Sequence, residues 1–254
     1  MAKDVDFSDA DLTGVLIKDA DFTNANFQGA NLSGADFTGS NLRNANMKQS
    51  IISGTIMSKA ETSGVNMDDA LHEEKMGTKL ESLGKSLPEL LEEHTAWITS
   101  AGRKGSRLDL SGFDLRHVLD LKKYPLTAIK AVGAMFINQN LDNASIQSAT
   151  LDRGDFRDST MRGTDFRGSS LKDAMLTRAN MVGANLSPLT FDNPDGTKRL
   201  QRVNLTGANL RYAILSDAIL ADCILAGADL SYAVLHGCDL SRADLRGAIL
   251  DNAD

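Results

Sequence analysis

Apolar residues recur at every fifth position over most of this chain, with least variation between Val203 and Ala253. Leucine stands at Leu205, Leu210 and each fifth residue on to Leu250. Two places before each leucine is a small residue, from Val203 and Ala208 to Ala248, with Cys223 and Cys238 in the same slot. Polar residues and glycine fill the rest. A spacing of five fits neither the 3.6 period of a helix nor the two-residue period of a flat strand. It predicts a stacked repeat, in which each unit is a short extended side and a corner. The leucine and its small partner then point the same way, inward, by strand alternation. The polar residues and glycine take the corners, where turn geometry suits them.

The same pattern governs residues 1–70. Its central positions run Phe7, Leu12, Ile17, Phe22, Phe27 and on to Met67, with small partners from Val5 to Val65. Thr62, polar at a central position, marks the approach to an end of the stack. From 71 to 105 the period vanishes and a helix is predicted. Ser86 is its N-cap, Pro88 sits in the first turn, and Gly102 stops it. Leu87, Leu90, Leu91, His94, Trp97 and Ile98 share one face. That face is expected to cover an open end of a coil, because a bare solenoid end exposes core residues and unpaired strand edges.

Residues 106–254 form the second block. Leu110 and Leu115 are in register, with Leu108 and Phe113 as inward partners. The pattern loosens near 117–133, where Tyr124 and Pro125 signal a turn. Leu115 to Phe136 is one residue more than four repeats, so a bulge is expected with the coil maintained. Regular repeats then run from Phe136 to Phe191, with Leu189 as the inward partner of Phe191. Gln139 occupies an inward slot and requires a hydrogen-bond partner there. Phe191 to Leu205 implies an insertion of nine residues. Asn193, Pro194, Asp195 and Gly196 are a strong turn signal. A loop over 192–202 is therefore expected to protrude, with Lys198, Arg199 and Arg202 making its returning limb basic.

The repeat resembles the A(D/N)LXX pattern of the pentapeptide repeat family. That resemblance implies an all-β solenoid, a right-handed quadrilateral β-helix in which residues twenty apart stack, here interrupted by an α-helical segment. The string EEHTAWITSAGRKGSRLDLSG is similar to a helix-plus-glycine lead-in before repeat blocks of other bacterial members. The expected organisation is a β-helix at 1–70, a helical linker or cap at 71–105 and a second β-helix at 106–254, as two columns rather than one. The family also contains proteins that resemble duplex DNA in width and charge and bind DNA gyrase, protecting it from quinolones.

Composition narrows the function classes. The net charge is −7, which does not favour direct binding to nucleic acid. No apolar run approaches the ~20 residues of a membrane span, and the first residues enter the repeat without a secretory segment, so a cytoplasmic location is the expectation. Two cysteines and four scattered histidines show no zinc-type spacing. The carboxylates and hydroxyls recur with the repeat, and a filled axis leaves no pocket. Neither a cofactor nor enzymatic chemistry is expected. Charge is uneven: residues 106–204 hold fourteen basic and eleven acidic side chains, between acidic flanks. Arg157, Arg162, Arg167 and Lys172 follow core residues at successive fives and make a basic belt, partly paired, with Arg178 expected over Asp158. The candidate partner-binding residues are Asp195, Lys198, Arg199 and Arg202 of the loop and Arg157, Arg162 and Arg167 of the belt. The capping set is Leu90, Leu91, His94, Trp97 and Ile98. The expected role is a scaffold that binds another protein, with a DNA-mimic that binds gyrase as the alternative. Leu245, Ala248, Leu250 and Ala253 leave an apolar coil end, for which self-association is expected.

Overall fold

Each central residue points inward, and the residue before it pairs in parallel with its equivalent one coil on. The computed structural model describes residues 3–73, 77–119, 121–192 and 195–254. One side of the first column runs Asp6, Asn26, Asn46, Asn66 through successive parallel bridges. The hydrogen bonds are regular: Phe7 N donates to Asn26 O at 2.7 Å and Asn26 N to Val5 O at 2.9 Å. A tight turn then makes the corner, closed by Ala10 N donating to Phe7 O at 3.1 Å. The third residue of that turn has a positive φ, 56° at Asp9, which explains the run of Gly, Asp and Asn there. The Asp or Asn before the central residue has its own task. Its side chain accepts the backbone N–H two residues on, as Asp21 does from Thr23 (3.1 Å) and Asp229 from Ser231 (2.9 Å). These residue types are poor strand formers, and the turn they build locally is the reason they stand in the repeat. The fold is a right-handed quadrilateral β-helix of five-residue sides.

The chain divides into two compact units, Met1–Met76 and Gly77–Asp254. In the first, the axis is filled by Phe22, Phe27, Leu32, Phe37, Leu42 and Met47. Phe7 stacks on Phe27 with ring centroids 5.2 Å apart, and Phe37 meets Phe27 edge-on at 5.7 Å, both favourable ring geometries. The ladder runs as far as Leu71, which bridges Ile51, slightly past the expected boundary at 70.

The second unit begins with a bridge from Thr78 to Phe113 and a short 3-10 turn, Leu80–Leu83. Helix α1 follows, Leu87–Thr99. Ser86 and Glu89 form a reciprocal capping box, with Ser86 N donating to Glu89 Oε2 at 2.8 Å and Glu89 N to Ser86 Oγ at 3.4 Å. Leu91 is buried within the core cluster that holds Leu108, Leu110 and Leu126, and Leu87 and Leu90 pack against it. Gly105 allows the return: a Cβ there would lie 2.0 Å from the Glu93 carbonyl oxygen, and its φ is +70°.

The first coil of this unit closes in twenty-one residues, from Asp109 to Lys130 and from Asp114 to Met135. The extra residue falls between Leu115 and Leu121, before the 3-10 turn Leu121–Lys123. Leu121, Leu126 and Ala131 are buried at five-residue intervals, so the core continues beneath a lysine- and proline-bearing surface. Gln139 finds its partner in the Arg116 carbonyl, at 2.7 Å. Among the described residues, no buried side-chain nitrogen or oxygen is without one.

The insertion differs from expectation. Asn185 bridges Ile219 and Ser170 bridges Asn204, so fourteen residues are looped out rather than nine. Phe191 is not a core residue; it is 43% exposed. Leu189 and Phe191 lie in strand β1, Leu189–Asp192, which pairs antiparallel with β2, Lys198–Gln201. The five-residue spacing continues into β1 by coincidence, while backbone pairing with β2 takes that strand out of the coil. Asn193 and Pro194 of the expected turn lie outside the described residues. So do 74–76 in the expected helical segment and Asp120 in the expected excursion.

Beyond the hairpin the column continues through Leu210 and Leu230, both fully buried, to Leu250, which is 40% exposed. Among the described residues no helix is long and apolar enough to cross a membrane.

Candidate functional site

The hairpin 189–201 is anchored at its base. Gln201 Nε2 donates to the Gly168 carbonyl. A Cβ on Gly168 would lie 2.9 Å from Leu189 Cδ1 and 3.3 Å from Gln201 Cγ, so the missing side chain is what lets the hairpin seat. Register places Phe191 opposite Arg199 and Thr190 opposite Leu200. The Arg199 guanidinium lies 5.9 Å from the centre of the Phe191 ring, a cation–π distance. Leu200, on the other face, is 53% exposed. Lys198 and Arg199 are exposed. Asp195 caps the returning turn by accepting from Thr197 N (2.9 Å) and Thr197 Oγ1 (2.6 Å), and those bonds lower its carboxyl below the usual range.

Arg202 does not belong to the exposed limb. Its guanidinium folds back on the coil, with Nε donating to the Asp222 carbonyl and a terminal nitrogen to that of Cys223 at 3.3 Å. The hairpin therefore presents Lys198 and Arg199 as its cations. Sequence reasoning located the loop but missed Phe191 and Leu200 as exposed groups. The available signal was Thr190 and Asp192 flanking Phe191, which read as an alternating strand as readily as a repeat.

The basic belt is not one surface. Arg157, expected to face solvent, is 1% exposed. It forks onto Asp155, two residues earlier, with Nε at 2.9 Å from Oδ1 and a terminal nitrogen at 2.6 Å from Oδ2. Arg167 forks onto Asp165 at 3.0 and 2.8 Å in the same way. Arg116 with Asp114 and Arg246 with Asp244 repeat the arrangement. The physical reason is local. In Asp-x-Arg the carboxylate stands on the outward strand position and the arginine starts the next corner, so the pair closes within one repeat. Arg162 is exposed, and its backbone N–H donates to Asp142. Arg178 meets Asp158 at 2.6 and 2.9 Å, one coil apart.

Of the capping set, Leu91 and His94 are buried, while Leu90, Trp97 and Ile98 are half-buried. His94 stacks on Trp97 with centroids 5.8 Å apart. A shallow depression at the end of α1 is lined by Ala96, Thr99, Ser100, Arg103 and Lys104, with no nucleophile and base in partnership. Cys223 is buried and its thiol is pushed up to about 12 by that burial; Cys238 rises to about 11 for the same reason. Neither thiol has the thiolate character of a reactive site. Among the described residues, no group of three or more His, Cys, Asp or Glu could hold a metal ion.

A family model described as pentapeptide repeats matches eight copies, over residues 6–44, 20–58, 30–69, 155–187, 199–237 and 223–254. Among solved structures the chain is similar to HetL, a pentapeptide repeat protein involved in heterocyst differentiation regulation in the cyanobacterium Nostoc sp. The identity is 23%, covering 97% of this chain and 90% of that one, with a TM-score of 0.32. It is similar to Rfr23, a pentapeptide repeat protein of the cyanobacterium Cyanothece, at 20% identity over 49% of this chain and 89% of that one, TM-score 0.31. It is also similar to QnrB1, a plasmid-mediated fluoroquinolone resistance protein, at 17% identity over 98% and 86% of the two chains, TM-score 0.37. No curated protein sequence matches the chain.

Proposed function

The chain belongs to the pentapeptide repeat family, and from that premise we propose that it is a non-catalytic scaffold whose hairpin 189–201 docks another protein. The observation that carries this reading is the hairpin itself. It leaves a column whose axis is filled by side chains and holds Phe191, Arg199 and Leu200 out in solvent. An exposed aromatic ring paired with an arginine is the composition of an interface hot spot, and Leu200 adds an exposed apolar group on the opposite face of the hairpin. The base at Gly168 fixes the hairpin on a hydrogen-bonded ladder, so little ordering cost remains at binding. On the sides of the coil many of the outward Asp and Asn make turns, and the Asp-x-Arg pairs close on themselves.

The DNA-mimic reading needs a continuous run of unneutralised carboxylates. Asp155, Asp158, Asp165, Asp222 and Asp244 each carry an arginine partner, and residues 106–204 are net basic. Both features favour the hairpin scaffold. The test is photo-crosslinking in the source cells with a reactive residue at position 191, against a control at exposed Arg162. A discrete adduct from 191 alone supports hairpin docking. A supercoiling assay with purified gyrase serves the other reading: inhibition or quinolone protection at micromolar protein would replace the scaffold with the mimic.

A further inference from the structure

We propose that His94 is an acid-sensitive latch that holds α1 over the first coil of the second column. The imidazole takes the place of two backbone groups that a preceding coil would supply. Within the repeats, the N–H of an inward small position closes the turn before it, as Phe113 N donates to Leu110 O at 3.1 Å. No repeat precedes Leu108, and its N–H is accepted instead by His94 Nδ1, at 3.1 Å. Likewise a corner carbonyl accepts from the coil before it, as Gln147 O does from Ala128 N at 2.6 Å. The Thr127 carbonyl, at the first coil, meets His94 Nε2 at 2.9 Å. A carbonyl only accepts and an amide N–H only donates. The ring is therefore neutral, with its proton on Nε2.

A second proton on Nδ1 would set a donor against the Leu108 N–H and place a charge in a fully buried site. The surroundings sharpen this. Arg107, from the segment leading into the coil, acts on the ring with like charge, and its Nε is held by the Ala128 carbonyl at 2.6 Å. On α1, Glu93 is turned to Lys85 and Ser106 and offers the ring no counter-charge. The coil meets the ring through uncharged Thr127, and Trp97 covers one face. Burial is the main cause that holds the His94 pKa below its ordinary 6.5, against the backbone hydrogen bonds of Thr127 and Ser106, which act to raise it. The unfolded or released ring binds a proton more readily than the latched one. The latch is thus fully closed above about pH 6.5 and weakens as pH falls from there toward the folded value.

The chain has one tryptophan, Trp97, which reports on the latch. Trp97 emission and the exchange protection of the Leu108 amide are followed from pH 7.5 to 5, with the Leu210 amide as internal reference. The expected result is a red shift of Trp97 and a loss of Leu108 protection of about ten-fold per unit of pKa difference, with Leu210 unchanged. His94→Gln, which keeps a donor and an acceptor but does not titrate, abolishes the pH dependence. Leu108 protection constant down to pH 5, or an unaltered transition in His94→Gln, overturns the proposal. If that variant does not fold, NMR titration of the His94 ring in the natural chain decides. Ring protonation that leaves Trp97 and Leu108 unchanged overturns it; a shared midpoint supports it.

Discussion

Asn185 lies across a parallel bridge from Ile219, although thirty-four residues separate them and the bridges one coil below and above, Asp165 to Asn185 and Ile219 to Asp239, span twenty. The backbone thus closes the coil as if residues 188–201 were absent. Excising those fourteen residues restores a spacing of five between Leu186 and Leu205. The new corner falls on Arg202, so Arg202→Gly suits the positive φ required there. The excised chain is expected to fold with a melting temperature within a few degrees of the natural one, by circular dichroism. Excising nine residues, the number that a core Phe191 would require, shifts every later side out of register and should prevent cooperative folding.

Gly168 sets the seat of the hairpin. Gly168→Ala places a methyl 2.9 Å from Leu189 Cδ1 at a φ of +69°, a position L residues adopt at a cost of roughly 1–2 kcal/mol. The expected outcome is faster amide exchange over 189–201 with the column amides at 171 and 176 still protected. Equal exchange in both regions of the variant would contradict the seat.

Leu210 is fully buried between Leu176 and Leu230 in the axial column, whereas Ile219 faces outward at 39% exposure. Leu210→Ala should cost about 2–5 kcal/mol, the range for a cavity in a close-packed core. Ile219→Thr should cost well under that, since the side chain lies outside the close-packed axis. Denaturant unfolding of the two variants checks the difference in sign of facing that a five-residue repeat imposes.

Asp36 and Asp244 are held at about 2, chiefly by hydrogen bonds from the Thr38 side chain and from Arg246 respectively. Both values are depressed below 3.8, so the stability these groups add is present above that pH and is lost as pH falls toward 2. Melting temperature should be flat from pH 7 to about 5 with respect to these groups and decline between pH 4 and 2. Asp36→Asn and Asp244→Asn together should flatten that decline.

Much of the architecture was legible because a five-residue period constrains backbone and core at once. The Leu205-to-Leu250 series fixes inward positions without any knowledge of tertiary contacts. The extra residue between Leu115 and Leu121 was readable as a count, although Leu121 and Leu126 were hidden among Lys122, Lys123 and Pro125. Phe191 was misleading because spacing alone does not report which strand a backbone pairs with. Arg157 was misleading for a different reason. Its position relative to the core is correct, but the carboxylate two residues earlier captures it, and that pairing is written in Asp-x-Arg rather than in the fivefold pattern. The exposure of Phe191 and Leu200 follows from register between β1 and β2, which no periodicity encodes.

The most direct test of hairpin docking compares the natural chain with the chain lacking 188–201 and carrying Arg202→Gly, once circular dichroism shows both folded. Each is immobilised, and the adduct partner identified from position 191 is titrated over it by surface plasmon resonance. Saturable binding to the natural chain is expected, with a loss of a hundred-fold or more on the excised one, on the order of a hot-spot deletion. Equal affinity for the two chains would contradict hairpin docking.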